Sequence, residues 1–174
     1  MAIYDNNGST SYEIGKLYDN NGTTSSQIHT VYDNNGTTSS LIYIGEETLF
    51  SGVSLDTGIA SGSNVTKTAT SSEYTNNGFS SLAVTGTVGA QVIGQGTYGY
   101  AAHVYIQGYN GSWVNLKDWN VGGNSSVSTN AASTVSISGY TKIRIFATIT
   151  TANISTGEAT SGKAYTTSLQ GIAS

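Results

Sequence analysis

Aliphatic and aromatic positions over the first 44 residues return every 14 positions. Ile3-Tyr4, Leu17-Tyr18 and Val31-Tyr32 each open a copy, Asp-Asn-Asn-Gly follows at once, a Ser/Thr-rich stretch comes next, and Ile14, Ile28 and Ile42 close the copies. Asn-Gly tolerates positive φ at both residues, and Asp closes an Asx-turn on its own backbone. Each copy therefore predicts two short strands around a tight turn, as a hairpin or a rung. Aliphatics at 3, 14, 17, 28, 31 and 42 fit neither a helical period nor unbroken alternation. Between Ile14 and Leu17, and again between Ile28 and Val31, the odd step flips the face of a continuous strand. A second bend at Gly15-Lys16 and His29-Thr30 restores both aliphatics to one side. One copy holds too little apolar surface to offset about 1–2 kcal/mol per residue of backbone ordering, so the copies must stack on each other or on neighbouring chains. A flexible spacer is the alternative reading, yet a spacer has no need of the Tyr and Ile that every copy keeps.

The period fails to start a fourth time at Gly45-Glu46-Glu47, which puts a boundary there. Residues 1–45 read as three β repeats that assemble or anchor the chain, and residues 46–174 as a β-sandwich domain. Strand candidates beyond the boundary are Thr48 to Leu55, Asn64 to Ala69, Ser80 to Val88, Ala101 to Gln107, Trp113 to Leu116, Thr134 to Ile137, Lys142 to Thr150 and Ala164 to Leu169. Asn76-Asn77-Gly78, Asn110-Gly111 and Gly122-Gly123-Asn124 supply turn chemistry between them. Alternation is clearest in 82–88, 104–107 and 143–149, where one face is apolar and the other polar or aromatic, as in two antiparallel sheets packed face to face. The fold class is all-β: short, repeated β-hairpins of fibrous character, then a jelly-roll-like antiparallel β-sandwich.

Composition narrows the partners. With six Lys and Arg against ten Asp and Glu, a net charge of −4 and no basic cluster, neither nucleic acid nor an anionic membrane is an expected partner. No apolar run approaches the roughly 20 residues that cross a bilayer, so membrane insertion is not expected. The N-terminal residues carry neither a basic region nor an apolar core, so we expect synthesis in the cytoplasm without a signal peptide. Cysteine is absent, which removes disulfides, a thiol nucleophile and cysteine-based metal sites. Proline is absent too, leaving glycine to make the sharp turns. Seven Asn-x-Ser/Thr sequons follow from a composition rich in Asn, Ser, Thr and Gly, and three of them belong to the repeats.

The Tyr-Asp-Asn-Asn-Gly repeats resemble those of small bacteriophage virion proteins of the head-fibre, decoration and tail-fibre types. The stretch Val104 to Trp119, followed by Ser138-Gly139-Tyr140-Thr141-Lys142-Ile143-Arg144-Ile145, is similar to β-sandwich modules of phage fibre and decoration proteins and of carbohydrate-binding domains. The resemblance implies a structural or adhesive role at the virion surface, with contacts to other virion proteins such as capsid or tail. It also implies a homotrimer, and three copies make any shaft short. A tail-fibre or surface adhesin that binds a cell-surface glycan is the alternative; an extracellular filament subunit is a third.

Catalytic chemistry finds no anchor. His29 and His103 stand apart from any nucleophile-and-acid pattern, and no serine sits in a Gly-x-Ser-x-Gly elbow. Adjacent Glu46 and Glu47 point to opposite faces of a strand, the wrong geometry for a glycosidase pair. The Asp-Asn-Asn-Gly turns lack the distal Glu of an EF-hand, so no metal and no cofactor are expected. Tyr4, Tyr18 and Tyr32, with Ile14, Ile28 and Ile42, are the expected assembly residues, stacking along a shaft or docking on a repeating surface. Tyr105 and Tyr109 flank a strand end, and Trp113 and Trp119 follow the Asn110-Gly111 turn, where a sugar-stacking platform can form. Within that group Trp113 reads as core, while Tyr109 and an exposed Trp119 are the expected ligand contacts, with edge packing the other reading of Trp119.

Overall fold

A computed structural model describes residues 4–6, 11–13, 17–20, 25–28, 30–34, 39–93, 99–152 and 161–174. The chain divides into two compact units, residues 1–47 with Ser174, and residues Thr48–Ala173. In the first unit each copy of the repeat is a separate two-stranded antiparallel sheet: β1 (Tyr4–Asn6) with β2 (Ser11–Glu13), β3 (Leu17–Asn20) with β4 (Ser25–Ile28), and β5 (Thr30–Asn34) with β6 (Ser39–Ile44). The registers are nearly the same. Tyr4 lies opposite Glu13, Tyr18 opposite Gln27, and Tyr32 opposite Leu41, where a bulge makes Ile42 the extra residue. Leu17 pairs with Ile28, so the opening and closing aliphatics of the second copy share one register position. Gly15, Lys16 and His29, the expected second bends, lie outside the described residues, and Thr30 opens β5.

The second unit, with Glu47 before it, contains β7 (Glu47–Val53), β8 (Ala60–Ser61), β9 (Thr66–Thr70), β10 (Tyr74–Thr75), β11 (Ser81–Val92), β12 (Tyr100–Tyr109), β13 (Trp113–Asn120), β14 (Val127–Asn130), β15 (Ser133–Ser136), β16 (Lys142–Thr151) and β17 (Ser161–Ala173). Three edge strands are broken into consecutive pieces on the same neighbour: β7 and β8 on β17, β9 and β10 on β16, β14 and β15 on β11. Counting each broken pair once leaves eight strands in two sheets. In chain order the sheets run 6-3-8-1 and 2-7-4-5, so first pairs with eighth, second with seventh, third with sixth and fourth with fifth. This is a jelly roll. Broken edges also leave short ladders there, which limits strand addition by other chains.

Alternation produces this fold directly. β16 reads buried at Ile143, Ile145, Ala147, Ile149 and Thr151 and open at the residues between, and β12 buries Ala102, Val104 and Ile106. Those residues meet Leu82, Val84, Val88 and Ala90 of β11 and Ala164, Leu169 and Ala173 of β17 in the layer between the sheets. Phe50 of β7 lies against Gly171, where a Cβ would collide with its ring, and its ring centroid is 5.2 Å from that of Tyr74 of β10, which ties the two sheets together. Asn76 closes one end: its Nδ2 donates to the carbonyls of Phe79, Ile137 and Tyr140 at 2.8–3.1 Å, and its Oδ1 accepts from the Phe79 N–H at 2.9 Å.

Sequence strand limits agree with β7, β9, β11, β12, β13, β15, β16 and β17 to within a few residues, though β13 and β17 run several residues longer. The additional strands β8, β10 and β14 are two to four residues long and mostly polar, too short to show alternation.

Candidate functional site

The outer face of the five-stranded sheet carries the chemistry. Register across β16, β12 and β13 sets four rows of side chains: Lys142–Tyr109–Trp113, Arg144–Gln107–Asn115, Phe146–Tyr105–Asp118 and Thr148–His103–Asn120. The strand neighbours on β12 and β16 are buried in the core, so period two turns these rows outward, and the β13 residues follow by register. One irregularity makes this possible. β13 bulges between Asn115 and Lys117, leaving Leu116 as the extra residue opposite the Ile106–Gln107 step. After the bulge the parity of β13 is reversed.

Two aromatic groups flank a cation. Tyr109 and Trp113 have centroids 5.2 Å apart, Tyr105 and Phe146 are 6.2 Å apart, and His103 stacks on Tyr105 at 5.5 Å with planes 6° apart. Between them the Arg144 guanidinium lies 4.0 Å from the Trp113 centroid and 5.9 Å from that of Phe146. Arg144 Nε–H donates to Gln107 Oε1 at 2.8 Å, and Gln107 Nε2 donates to Asn115 Oδ1 at 2.8 Å. Of these side chains Gln107 is buried, Asn115 is exposed and the rest are half-buried. At the ends, Lys142 Nζ donates to Glu73 Oε2 at 2.7 Å and lies 5.9 Å over Tyr109, while His103 Nδ1–H donates to Asp118 Oδ1 at 2.9 Å. Glu73 holds the Lys142 ammonium above its ordinary pKa, and burial, followed by the Asp118 charge, raises the Tyr105 phenol.

The expected ligand pair is not brought together. Tyr109 is on this outer face, but Trp119 lies beyond the bulge, opposite core-facing Val104, half-buried with Lys117 Nζ 5.7 Å over its ring. Trp113 corrects the reading of it as core: it is half-buried on the outer face, because its partner Tyr109 has outward parity and the second sheet packs against the other side. Arg144, Phe146 and Gln107 are site residues that sequence reasoning did not single out, and His103 was weighed there only as a catalytic group. Their signal was present as every-second-residue spacing, Tyr105-Gln107-Tyr109 on one strand and Arg144-Phe146 on the other. Of the expected assembly residues, Tyr4, Tyr18, Tyr32, Ile28 and Ile42 fall in β1, β3, β5, β4 and β6, and Ile14 lies outside the described residues.

The outer face of the other sheet is plainer. Tyr165 covers Gly89, where a Cβ would meet its ring at 2.7 Å, beside a shallow groove lined by Gln91, Val127, Ser128 and Lys163. Lys163 Nζ donates to Asp56 Oδ2 at 2.6 Å. Among the described residues no group of three or more His, Asp or Glu side chains gathers as a metal site.

No protein-family model and no curated protein matches the sequence. Among solved structures, that of infectious bursal disease virus Gt strain is similar at 12% identity over 88% of this chain and 40% of that chain, with a TM-score of 0.44. The Gx strain structure aligns at 12% identity over 94% and 46%, with a TM-score of 0.38, and the VP2 subviral particle of that virus at 12% over 80% and 39%, with a TM-score of 0.37. This chain spans less than half the length of each.

Proposed function

We propose that this protein is a non-enzymatic virion structural protein of the capsid-decoration or head-fibre type, in which the repeats assemble or anchor the chain and the jelly roll is displayed. The observation that carries the reading is the state of the repeats. Each is a two-stranded sheet, and among the described residues no ladder joins one hairpin to another. A lone hairpin is marginal in water, and both its edges are open, so completion by other copies or by a particle surface is the economical solution. A homotrimer fits that need, because three chains bring nine hairpins in three like sets. The jelly roll is common in viral capsid and lectin domains, an analogy of fold only.

Sedimentation of the full chain at micromolar concentration tests this reading. A trimer that Tyr18→Ala weakens, with the sandwich still folded by near-ultraviolet circular dichroism, is the expected result. A strict monomer whose repeats are protected from hydrogen exchange overturns it.

A second reading, a tail-fibre or surface adhesin, is favoured by one observation: the aromatic and guanidinium cluster of Tyr109, Trp113 and Arg144 stands on an outer sheet face. A core has no need of it there.

A further inference from the structure

We propose that the outer face of the five-stranded sheet binds a carboxylate-bearing sugar, with the carboxylate on Arg144 and the pyranose ring among Trp113, Tyr109, Tyr105 and Phe146. This rests on the reading of the jelly roll as the displayed unit and names the ligand class that unit takes.

Charge is the first argument. Arg144 is the only arginine in a chain of net charge −4. Lys142 is answered by Glu73, Lys163 by Asp56, and His103, when charged, by Asp118, while Lys67 and Lys117 stand in register with core-facing Ile149 and Ile106 and so do not share the outer rows. Among the described residues no carboxylate pairs with Arg144. Its Nε–H is engaged by the neutral Gln107 oxygen, which leaves the four Nη–H donors as the fork that matches a carboxylate in bidentate fashion.

Pre-organisation is the second. The guanidinium carbon is held 4.0 Å from the Trp113 ring centroid, and the Gln107 amide that fixes Nε is itself fixed by Asn115. A long side chain already confined loses little further entropy when it binds, so the ordering cost that weakens most surface arginine contacts is largely met in the free protein.

The surroundings decide between a sugar and an acidic peptide. Aromatic rings stand on both sides of the cation, offering apolar surface with polar tips that suits the C–H groups of a pyranose. Beside them runs a neutral hydroxyl row, Thr70, Thr68 and Thr66 along β9, with Thr66 and Thr150 joined at 2.9 Å, able to exchange hydrogen bonds with sugar hydroxyls. An acidic peptide calls for several cations close together, and among the described residues of the outer rows Arg144 alone lacks a carboxylate partner. A neutral glycan leaves the guanidinium unanswered.

The test titrates the full-length protein by calorimetry and by ligand-observed NMR with sialyllactose, trigalacturonate, lactose and a hexaglutamate peptide. Binding of at least one acidic sugar, at least tenfold tighter than lactose, is the expected result. Arg144→Gln should weaken it at least tenfold. Arg144→Lys should recover only part, since the ammonium keeps the charge without the planar fork, and Trp113→Ala should weaken it several-fold. Lys163→Gln on the other sheet should leave it unchanged, and unaltered melting of each variant separates lost contact from lost folding. Equal binding of lactose, indifference to Arg144→Gln, tighter binding of hexaglutamate, or no binding by any sugar each overturns the proposal. Sedimentation of the same samples keeps the two readings apart: an intact trimer that ignores acidic sugars sinks only this inference, and a sugar-binding monomer sinks only the assembly reading.

Discussion

The Arg144 guanidinium lies 4.0 Å from the centre of the Trp113 ring, although the two residues belong to strands that do not touch; β12 runs between them. The contact reaches across Gln107, which holds Arg144 Nε, and beside Tyr109, which leans on Trp113 at 5.2 Å. A cation parked on an indole on an outer face is a surface arrangement with partial burial. Its contribution to folding should therefore be modest compared with a core aromatic.

Trp113→Ala is expected to destabilise the protein by about 1–2 kcal/mol, the sum of one cation–π contact and one aromatic pair at a half-buried site. Phe79→Ala removes a ring that is 1% exposed and should cost about 3–5 kcal/mol. Urea unfolding of both variants checks the ratio. Equal losses would show that Trp113 behaves as core after all.

Asn76 ties the β10–β11 connection to the carbonyls of Ile137 and Tyr140 near the start of β16. Replacing it with Ala strands several partly buried backbone groups, so a loss of about 2–3 kcal/mol is expected. Asn76→Asp keeps the acceptor for the Phe79 N–H but no donor, and should recover only a minor part. Thermal melts of the pair measure this directly, and a loss below half a kilocalorie with Ala would show that water replaces the amide.

Asp56 titrates below the ordinary carboxylate value, first because of its hydrogen bond from Lys163, against an opposing desolvation, with help from the Gly58 N–H. A depressed folded value means that the stabilisation is present above the unfolded carboxylate value and disappears as pH falls through the folded one. Lys163→Met should therefore lower stability at pH 7 and make no difference near pH 2. The Asp56 side chain is 48% exposed, so solvent screening holds the effect below about 1 kcal/mol, and added salt should shrink it. Denaturant midpoints at several pH values are the measurement. A difference that grows toward low pH would contradict the assignment.

A chain beginning at Glu46 is expected to melt cooperatively by itself, because both sheets of the jelly roll and their buried residues lie beyond that point. Calorimetry on that shortened chain gives the answer. A broad or absent transition would mean that the repeats complete the sandwich.

Much of this architecture was legible in the residues themselves. The 14-residue period with its Asp-Asn-Asn-Gly turns specifies hairpins, because turn chemistry and short-range pairing are local properties. The long strands β11, β12 and β16 are legible for a related reason: alternate residues must be apolar when one face of a sheet is buried, and 143–149 has no other economical reading. Even the outer face was half visible as Tyr105, Gln107 and Tyr109 at steps of two.

What only the tertiary structure decided is which of those outward residues meet. Trp113 and Trp119 are six positions apart, an even step that puts both on one face of a regular strand. The Leu116 bulge changes the parity between them, sending Trp113 to Arg144 and Trp119 to the side of Val104. A bulge answers to the strand it pairs with more than to its own sequence, so nothing in Trp113–Asn120 alone announces it. Arg144 likewise meets Trp113 only because the jelly roll sets β16 beside β12 and β12 beside β13. Local propensity determines that strands form and which residues each one turns outward, whereas the pairing of distant strands determines which of those residues become neighbours.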